Sequence, residues 1–276
     1  MSAEHRPLTS ADLLAAGPRR RLGGQVFIHD SLDSTNALLL RESAADDGAV
    51  AWAEVQTAGR GRLGRRWEAP RGSSVLLSVL LREPSDSPLL VRGGLLAAVA
   101  ACEAIEQATH CTVGLRWPND VQVHGRKLGG VLVESCSWGP RSSASRPSAD
   151  DRAVVIGIGL NCYQQRGHFP AELADHATSL ELESRAPVHR PAVAASLLRR
   201  LDDWLSRVAR HETGWRELHA AWRTRCVDVG TRVMLRHDGR VFRGTALEIT
   251  ADGDLLVQLD EGGRRSFAAA STTRAG

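Results

Sequence analysis

The sequence predicts an α+β fold, in which a mixed β-sheet covered by helices is followed by a small β-barrel. Residues 74–81 form a nearly continuous apolar run, which is typical of a strand inside a sheet. Apolar residues recur at helical spacing over residues 88–108, which predicts an amphipathic helix that covers this sheet. From Val227 onward, short strand-like runs alternate with glycine-containing turns, and this pattern predicts the barrel.

The chain length allows one large domain and one small domain. With 276 residues, we divide the chain into a tail (1–24), a main domain (25–226) and the barrel domain (227–276). The tail is polar and rich in arginine, and it has room for one short helix over residues 8–16. No apolar run approaches the ~20 residues of a membrane helix. The five cysteines are scattered and lack metal-binding spacing, which indicates reduced thiols and a cytoplasmic protein.

The first part of the main domain alternates strands with helices. Residues 25–29 predict a short strand, and a helix follows for which Asp33, Ser34 and Thr35 are all good N-cap residues. A second strand over residues 48–56 leads into a glycine-rich and arginine-rich loop. The apolar strand and the amphipathic helix described above follow that loop.

The second part of the main domain is organised around a hairpin. Pro118 interrupts a strand, and two further strands then meet at the turn 124–126. Residues 138–152 have no periodicity and predict a long exposed loop. The elements expected after that loop are a buried strand over 153–161, a loop over 163–182, and two helices with core tryptophans, one after Pro191 and one ending near Arg225.

We call residues 57–67 the flap, which reads Thr57-Ala-Gly-Arg-Gly-Arg-Leu-Gly-Arg-Arg-Trp67. Glycine allows close approach of the backbone to a ligand, and arginine binds carboxylate or phosphate through a planar fork. Trp67 offers a face for stacking. The flap therefore predicts a binding site for an anionic, partly aromatic ligand, and we expect it to be mobile until that ligand orders it. The alternative is a solvated surface loop.

The distribution of charge favours a small ligand over a nucleic acid. Residues 57–73 hold five arginines and one glutamate, whereas the formal net charge of the whole chain is only +3. The basic character is therefore local, and the rest of the chain is about neutral. A local cluster fits a small anion better than a long nucleic-acid track.

Other polar residues stand at places where a ligand could approach. Ser34, Thr35 and Asn36 have a capping role and a possible ligand role, since helix N-termini bind polar groups. Gln56 could bind an amide or ureido group. Lys127 lies beside paired glycines, which mark a bulge or a close ligand in a strand. The glycines of residues 157–159 lack the third glycine of a dinucleotide fingerprint, and no phosphate-binding P-loop occurs.

Four separated motifs together resemble the biotin protein ligases, or biotin–[acetyl-CoA-carboxylase] ligases. The motifs are Asp33-Ser-Thr-Asn36, the flap, Arg116-Trp-Pro-Asn-Asp120 with Lys127-Leu-Gly-Gly130, and Gly157-Ile-Gly-Leu-Asn161. The resemblance covers about residues 25–270. It implies a catalytic domain of the class II synthetase-like biotin/lipoate ligase type at 25–226 and an SH3-like barrel at 227–276.

The resemblance also implies a reaction in two steps. Biotin and MgATP give biotinyl-5′-AMP and pyrophosphate, and biotin then passes to a lysine of a biotin carboxyl carrier domain of an acyl-CoA carboxylase. Because the biotin carboxylate and the α-phosphate are both anions, the site needs positive charge in a dry environment. The implied substrates are biotin and ATP, with Mg²⁺ carried by ATP.

The resemblance assigns a role to each matching residue. The implied catalytic residues are Lys127, Arg62 and Asp120, where Asp120 orients or deprotonates the incoming lysine. The implied biotin-binding residues are Ser34, Thr35, Asn36, Gln56, Gly59, Arg60, Gly61, Arg62, Lys127, Gly130, Gly157 and Gly159. The implied ATP-binding and adenylate-binding residues are Arg62, Arg65, Trp67, Asn119, Lys127 and Asn161. Gly130, Gly157 and Gly159 are expected to let the backbone lie against the biotin rings.

Departures from the family leave alternatives open. Family members usually carry lysine where Arg116 stands, and the two cations are not equivalent at a phosphate site. Some members carry an N-terminal helix-turn-helix, which residues 1–24 cannot hold, so we expect no sequence-specific DNA binding. We also expect no membrane partner. The alternative functions are a lipoate-type acyl ligase, a non-enzymatic biotin sensor that binds DNA, and a catalytically idle scaffold.

Overall fold

The protein is built around two β-sheets. The computed structural model describes residues 6–15, 17–42, 45–137 and 151–275. Within these ranges one sheet has seven strands, the other has five, and helices cover the larger sheet. The predicted α+β class, with a mixed sheet and a small C-terminal β-domain, is confirmed.

The larger sheet is mixed because its first two strands are parallel and the remaining neighbours are antiparallel. Its strand order is β1-β2-β3-β7-β6-β5-β4. The strands are β1 (Val26–His29), β2 (Val50–Ala53), β3 (Ser74–Pro84), β4 (Gly114–Arg116), β5 (Asp120–Val123), β6 (Arg126–Ser137) and β7 (Asp151–Asn161). The apolar run 74–81 lies within β3, whose first eight residues are buried.

Helices pack on both faces of this sheet. The helices are α1 (Ser10–Leu14), α2 (Thr35–Arg41), α3 (Leu89–Thr109), α4 (Leu180–Glu183), α5 (Arg190–Arg210) and α6 (Glu212–Arg225). Successive side chains of a strand point to opposite faces. Accordingly, Trp52 joins the core cluster that contains α3 and α5, whereas its neighbour Ala51 joins a separate cluster with Leu39 of α2. The sheet therefore separates a large helical core from a smaller one beneath α2.

The hairpin predicted around residues 124–126 is present. His124 and Gly125 both have positive φ, of 49° and 79°, as a tight two-residue turn requires. The exposed loop predicted over 138–152 lies outside the described residues except for Asp151 and Arg152, which belong to β7. The predicted loop over 163–182 contains two short 3₁₀ turns and the first residues of α4.

The described part of residues 1–24, which we interpret as a tail or edge decoration, packs against the main domain. Leu8, Leu13 and Leu22 are buried in the main core. The carboxylate of Asp202 on α5 accepts three main-chain N–H bonds from residues 20–22, at 2.7 to 2.9 Å. This segment therefore packs as part of the main domain.

The C-terminal domain is one antiparallel sheet in the order β11-β10-β9-β8-β12. Its strands are β8 (Arg232–His237), β9 (Arg240–Ile249), β10 (Leu255–Leu259), β11 (Arg264–Phe267) and β12 (Thr272–Arg274). The strands β8 to β11 are separated by glycine-containing turns, as the sequence pattern predicts, whereas no glycine precedes β12 in the segment 268–271. Trp117 joins this domain to the larger sheet, because its indole N–H donates to the carbonyl oxygen of Gly253 at 2.8 Å.

None of the helices in the described ranges has the length and apolar character needed to span a bilayer. The five cysteines are free thiols. Two of them, Cys102 and Cys162, are buried, and the other three are partly buried and pack against the cores.

Candidate active site

A pocket forms where α2, the flap, the β5–β6 hairpin, β7 and the C-terminal sheet meet. It brings together residues from distant parts of the chain, from Ser34 near the start to Arg274 near the end. All the site residues predicted above line it except Gly59 and Asn161. These lining residues are Ser34, Thr35, Asn36, Gln56, Arg60, Gly61, Arg62, Arg65, Trp67, Asn119, Asp120, Lys127, Gly130, Gly157 and Gly159.

One end of the pocket is lined by buried uncharged polar groups at the start of α2. Ser34 caps the helix by accepting from the main-chain N–H of Ala37 at 3.4 Å. The main-chain N–H of Thr35 donates to the side-chain oxygen of Gln56 at 2.7 Å. Each of Ser34, Thr35 and Asn36 is less than 5% exposed. Buried amides and hydroxyls of this kind bind small polar groups with directional hydrogen bonds.

The other end of the pocket holds a lysine beside a carboxylate. The Lys127 ammonium lies 2.6 Å from an oxygen of Asp120 and 5.9 Å from the ring centre of Trp67. The hairpin places both groups on one surface, and a register irregularity occurs beside them. The main chain of Lys127 is held on its other side by His176 and Thr178. This end of the pocket therefore presents a fixed cation with an anionic neighbour.

Arg62 of the flap contacts both domains. Its guanidinium donates to the side-chain oxygen of Asn119 at 3.2 Å and to the carbonyl oxygens of Thr272, at 3.0 Å, and Ala269. Burial lowers the pKa of Arg62, while the nearby Asp120 carboxylate opposes that shift. A guanidinium remains charged even so, because its ordinary pKa is far above neutral. Arg62 thus supplies a second positive charge beside Lys127.

Trp67 lies flat against the strand that forms the pocket floor. A Cβ placed on Gly159 would come within 2.6 Å of the Trp67 ring, so the indole packs directly on the main chain of β7. The indole nitrogen of Trp67 is buried and has no hydrogen-bond partner among the described residues. A buried polar group without a partner is costly, and a ligand that accepts this bond would remove the cost.

The floor glycines make room for protein side chains. A Cβ on Gly157 would come within 2.1 Å of the amide oxygen of Asn36, just as one on Gly159 would collide with Trp67. A Cβ on Gly130 would make only ordinary contacts with Lys127 and Asp120, at 3.5 to 3.6 Å. At 157 and 159 the missing side chain makes room for Asn36 and Trp67, and contact of the three glycines with biotin stays a prediction.

Two predicted residues lie outside the pocket. Gly59 closes the base of the flap, where it accepts from the main-chain N–H of Trp67 at 3.0 Å. The side-chain amide of Asn161 donates to the carbonyl oxygen of Thr178 at 3.0 Å and accepts from Gln164 at 2.9 Å. Both polar ends of Asn161 are therefore used within the protein. Arg116, whose role the sequence left open, also does not line the pocket.

Several lining residues were missed. Arg66, Trp117 and Pro118 belong to motifs that the sequence analysis had already singled out, so the signal was present but unassigned. Thr273 and Arg274 come from β12, and no local pattern connects them to the flap. Arg274 pairs with the buried carboxylate of Asp228, which also accepts the main-chain N–H of Trp117 at 2.6 Å.

The two arms of the flap are joined in the structure. Arg60 and Arg66 form an antiparallel bridge, and a short 3₁₀ turn over residues 62–64 connects them. Leu63 has a positive φ of 53° in this turn and a largely exposed side chain. The expected mobility of the unliganded flap stays a prediction.

Comparison with solved structures identifies the fold. Over 91% of this chain and 100% of the other, the protein is similar to the biotin protein ligase from Aquifex aeolicus in complex with biotin and ATP, with a TM-score of 0.75 and 26% identity. The fold and the pocket together define a ligase catalytic domain followed by an SH3-like domain.

Sequence comparison identifies the family. The model of the Biotin/lipoate A/B protein ligase family matches residues 28–161. A biotin–[acetyl-CoA-carboxylase] ligase of Mycobacterium tuberculosis is 36% identical over 91% of this chain and 88% of its own length. The bifunctional ligase/repressor BirA of Bacillus subtilis is 33% identical over 90% of this chain and 74% of its own length. The chain therefore belongs to the biotin protein ligases of this family, and it is an enzyme of the ligase class.

Proposed function

We propose that the protein activates biotin with ATP to give biotinyl-5′-AMP and pyrophosphate, and then transfers biotin to a lysine of a carrier domain. The observation that carries this proposal is the pocket in which Lys127 and Arg62 converge beside buried polar groups. Family membership supports biotin ligation, and one solved relative is described as a complex with biotin and ATP.

Charge is the main contribution of the site to the first step. The biotin carboxylate attacks the α-phosphate, and both groups are anions, so their approach is opposed by electrostatic repulsion. Lys127 and Arg62 offset that repulsion and stabilise the charge that develops in the transition state. Closure of the flap over the bound substrates would strengthen both cations by limiting the access of water.

The polar end of the pocket is our proposed site for the biotin ring system. Ser34, Thr35 and Gln56 present hydroxyl and amide groups that suit a ureido group, which both donates and accepts hydrogen bonds. The further residues that we assign to biotin are Asn36, Arg60, Gly61, Arg62, Lys127, Gly130, Gly157 and Gly159. Gly59 supports this set from the base of the flap.

The adenylate is assigned to the end near Trp67. The indole ring suits the adenine ring by stacking, and its unpartnered N–H suits an acceptor on the ligand. Arg62, Arg65, Asn119 and Lys127 are assigned to the phosphate. Asn161, by contrast, is engaged with Thr178 and Gln164, so we assign it to supporting the pocket wall.

Magnesium is proposed to enter with ATP. The described residues contain no group of three or more histidine, cysteine, aspartate or glutamate side chains that could hold a metal ion. Mg²⁺ prefers oxygen ligands and usually retains water while binding substrate phosphates. The donor set therefore fits a metal carried by the nucleotide.

Asp120 is our candidate for the second step. One of its oxygens contacts Lys127, and the carboxylate is partly exposed at the pocket. We assign it to orienting the neutral amine of an incoming lysine, whose nitrogen attacks the biotinyl carbonyl carbon and loses a proton as the C–O bond to the departing AMP breaks. We propose that the acceptor is the biotin carboxyl carrier domain of an acyl-CoA carboxylase, in line with the name of the mycobacterial relative.

Mass spectrometry of a carrier domain tests this function. After incubation with the protein, biotin and MgATP, we expect one biotinyl addition on one lysine. Parallel reactions with lipoate, and with biotin but no ATP, are expected to give no addition. Modification by lipoate alone would support the lipoate-ligase alternative, and tight sequence-dependent DNA binding in a gel shift would support the sensor alternative.

A further inference from the structure

Glu134 on β6 connects the flap with the polar end of the pocket. One of its carboxylate oxygens lies 3.1 Å from the guanidinium of Arg60. The same oxygen accepts from the side-chain N–H of Asn36 at 2.8 Å. The flap and the start of α2 are separate segments of the chain, so a single carboxylate holds two parts of the pocket together.

The position of Asn36 is fixed on every side. Its nitrogen donates to Glu134 and, at 3.3 Å, to the carbonyl oxygen of Leu132, whereas its oxygen accepts from the hydroxyl of Ser78 at 2.6 Å. Both neighbours of the nitrogen are acceptors, which sets the orientation of the amide. The oxygen also lies against Gly157, where a side chain would not fit. Glu134 therefore sets the orientation of the amide together with Leu132 and Ser78.

A neutral side chain would weaken both contacts of this carboxylate. Glu134 serves two donors, one from Asn36 and one from Arg60, with a single oxygen. A glutamine oxygen in the same position could still accept from both donors, because an amide oxygen has two lone pairs, but it carries no full negative charge. The bond to Arg60 is also charge-assisted, and that contribution is lost when the carboxylate is neutral.

We infer that Glu134 is a positioning residue for biotin, which anchors the flap through Arg60 and orients Asn36 in the pocket. This inference rests on the proposed function, because biotin is the ligand of that pocket. Glu134 itself does not line the pocket, so its effect on biotin passes through the two residues that it holds.

Steady-state kinetics of biotin-dependent pyrophosphate exchange tests the inference with Glu134→Gln. We expect the KM for biotin to rise about tenfold, because the contacts with Arg60 and Asn36 lose their charge assistance. The kcat and the KM for ATP are expected to stay within about twofold, since uniform substrate binding is lost rather than transition-state stabilisation. Unchanged KM for biotin, or equal losses in every parameter, would overturn the inference.

Limited trypsin digestion of the unliganded protein gives a second readout, independent of activity. Release of Arg60 should expose the flap, so cleavage after its arginines is expected to be several-fold faster in Glu134→Gln. Equal cleavage rates in wild type and variant would contradict the anchoring role. If wild-type protein made no biotinyl-5′-AMP, the proposed function would fail, but the digestion would still decide whether Glu134 holds the flap.

Glu106→Gln is the matched control. Glu106 also pairs with an arginine at 3.0 Å, and its carboxylate is 33% exposed compared with 25% for Glu134, but it lies on α3 away from the pocket. This variant should behave as wild type in both assays.

If Glu134→Gln is poorly folded, Arg60→Ala provides the test from the flap side. The double variant should raise the biotin KM by less than the product of the two single effects, because both single variants remove the contact between Arg60 and Glu134.

Discussion

Lys127 is the side chain on which the chemistry of the pocket depends most directly. It pairs with Asp120 at 2.6 Å, yet it is 39% exposed, so its removal should leave the fold intact. Lys127→Ala is expected to lower the kcat of pyrophosphate exchange about 100-fold, as for the loss of one preorganised charge donor. Arg126 lies on the same hairpin as Lys127 and pairs with Glu183 of α4. Arg126→Ala breaks that pair and should retain turnover. Near-normal turnover in Lys127→Ala would argue against its assigned role.

Gly157 and Gly130 give a matched pair for the packing of the pocket floor. A Cβ at Gly157 would overlap the amide of Asn36, whereas one at Gly130 meets its neighbours at ordinary distances. Gly157→Ala should therefore cost about 2 kcal/mol of unfolding free energy, and Gly130→Ala less than about 1 kcal/mol. Urea unfolding measures both. Equal costs for the two variants would show that the floor adapts freely.

Cys162 is expected to be chemically inert in the folded protein. Burial raises the pKa of its thiol to about 12, so at pH 8 the nucleophilic thiolate is scarce and is shielded from reagent. A thiol reagent at pH 8 should label Cys162 only after unfolding. Mass mapping of labelled peptides checks this, and rapid labelling of native protein at that position would contradict the buried placement.

Site residues were predictable from the sequence where residue type and motif spacing carried the information. The pocket contains the flap arginines, Trp67 and Lys127. These residues belong to motifs whose chemistry can be inferred from residue type and spacing alone. The side-chain direction of Asn161 was not readable, because it depends on contacts with Thr178 and Gln164 in a following loop. The importance of Glu134 was likewise hidden, since its two partners come from distant segments.

At the scale of elements, a buried ion pair joins α5 to β2. The guanidinium of Arg190, which is fully buried, lies 2.8 Å from the carboxylate of Glu54. Glu54 also accepts from the indole of Trp52 at 3.0 Å and from the main chain of Leu8 at 2.9 Å. This network holds the segment before α1, the end of β2 and the start of α5 relative to one another.

Removal of the charge on Glu54 should be strongly destabilising. In Glu54→Gln the Arg190 cation remains buried without its counter-ion, and the expected loss of unfolding free energy is about 3–5 kcal/mol. Glu217→Gln is the surface control, because its pair with Arg207 at 3.6 Å is more than half exposed on both sides. That variant should change the unfolding free energy by less than about 1 kcal/mol. Comparable losses in the two variants would be inconsistent with the burial described.

Elements with strong local signals were predicted well. The hairpin turn, the apolar strand β3 and the amphipathic helix α3 each follow from residues that are close in sequence. The packing of residues 6–24 was not predictable, because its buried leucines have no regular period. Its main anchor, Asp202, is about 180 residues away in the chain.

At the scale of the whole molecule, Asp228 links the two domains to the pocket. Asp228 is only 2% exposed. Its carboxylate accepts from the main-chain N–H of Trp117, which lies between β4 and β5, and pairs with Arg274 of β12. Thr273 and Arg274 also line the pocket. The small domain therefore shapes the site through a contact that no stretch of sequence could have shown.

Asp228→Asn should weaken both the domain contact and the site. The variant leaves Arg274 without its buried counter-ion, so we expect a loss of about 2–3 kcal/mol in unfolding free energy and a several-fold higher KM for ATP. Asp260→Asn breaks an exposed pair with Arg232 in the same domain and should alter neither quantity. A stability loss with an unchanged KM for ATP would show that the small domain is only structural.

The pocket floor has a consequence for redesign of the ligand specificity. Because β7 carries glycine at 157 and 159, the amide of Asn36 and the ring of Trp67 pack directly against its main chain. Neither group can move further toward the strand. Any added side chain there shifts those groups outward and shrinks the cavity. A variant that accepts a bulkier acid must therefore gain its space from the flap, at a position such as Arg65, whose exposed side chain lines the pocket.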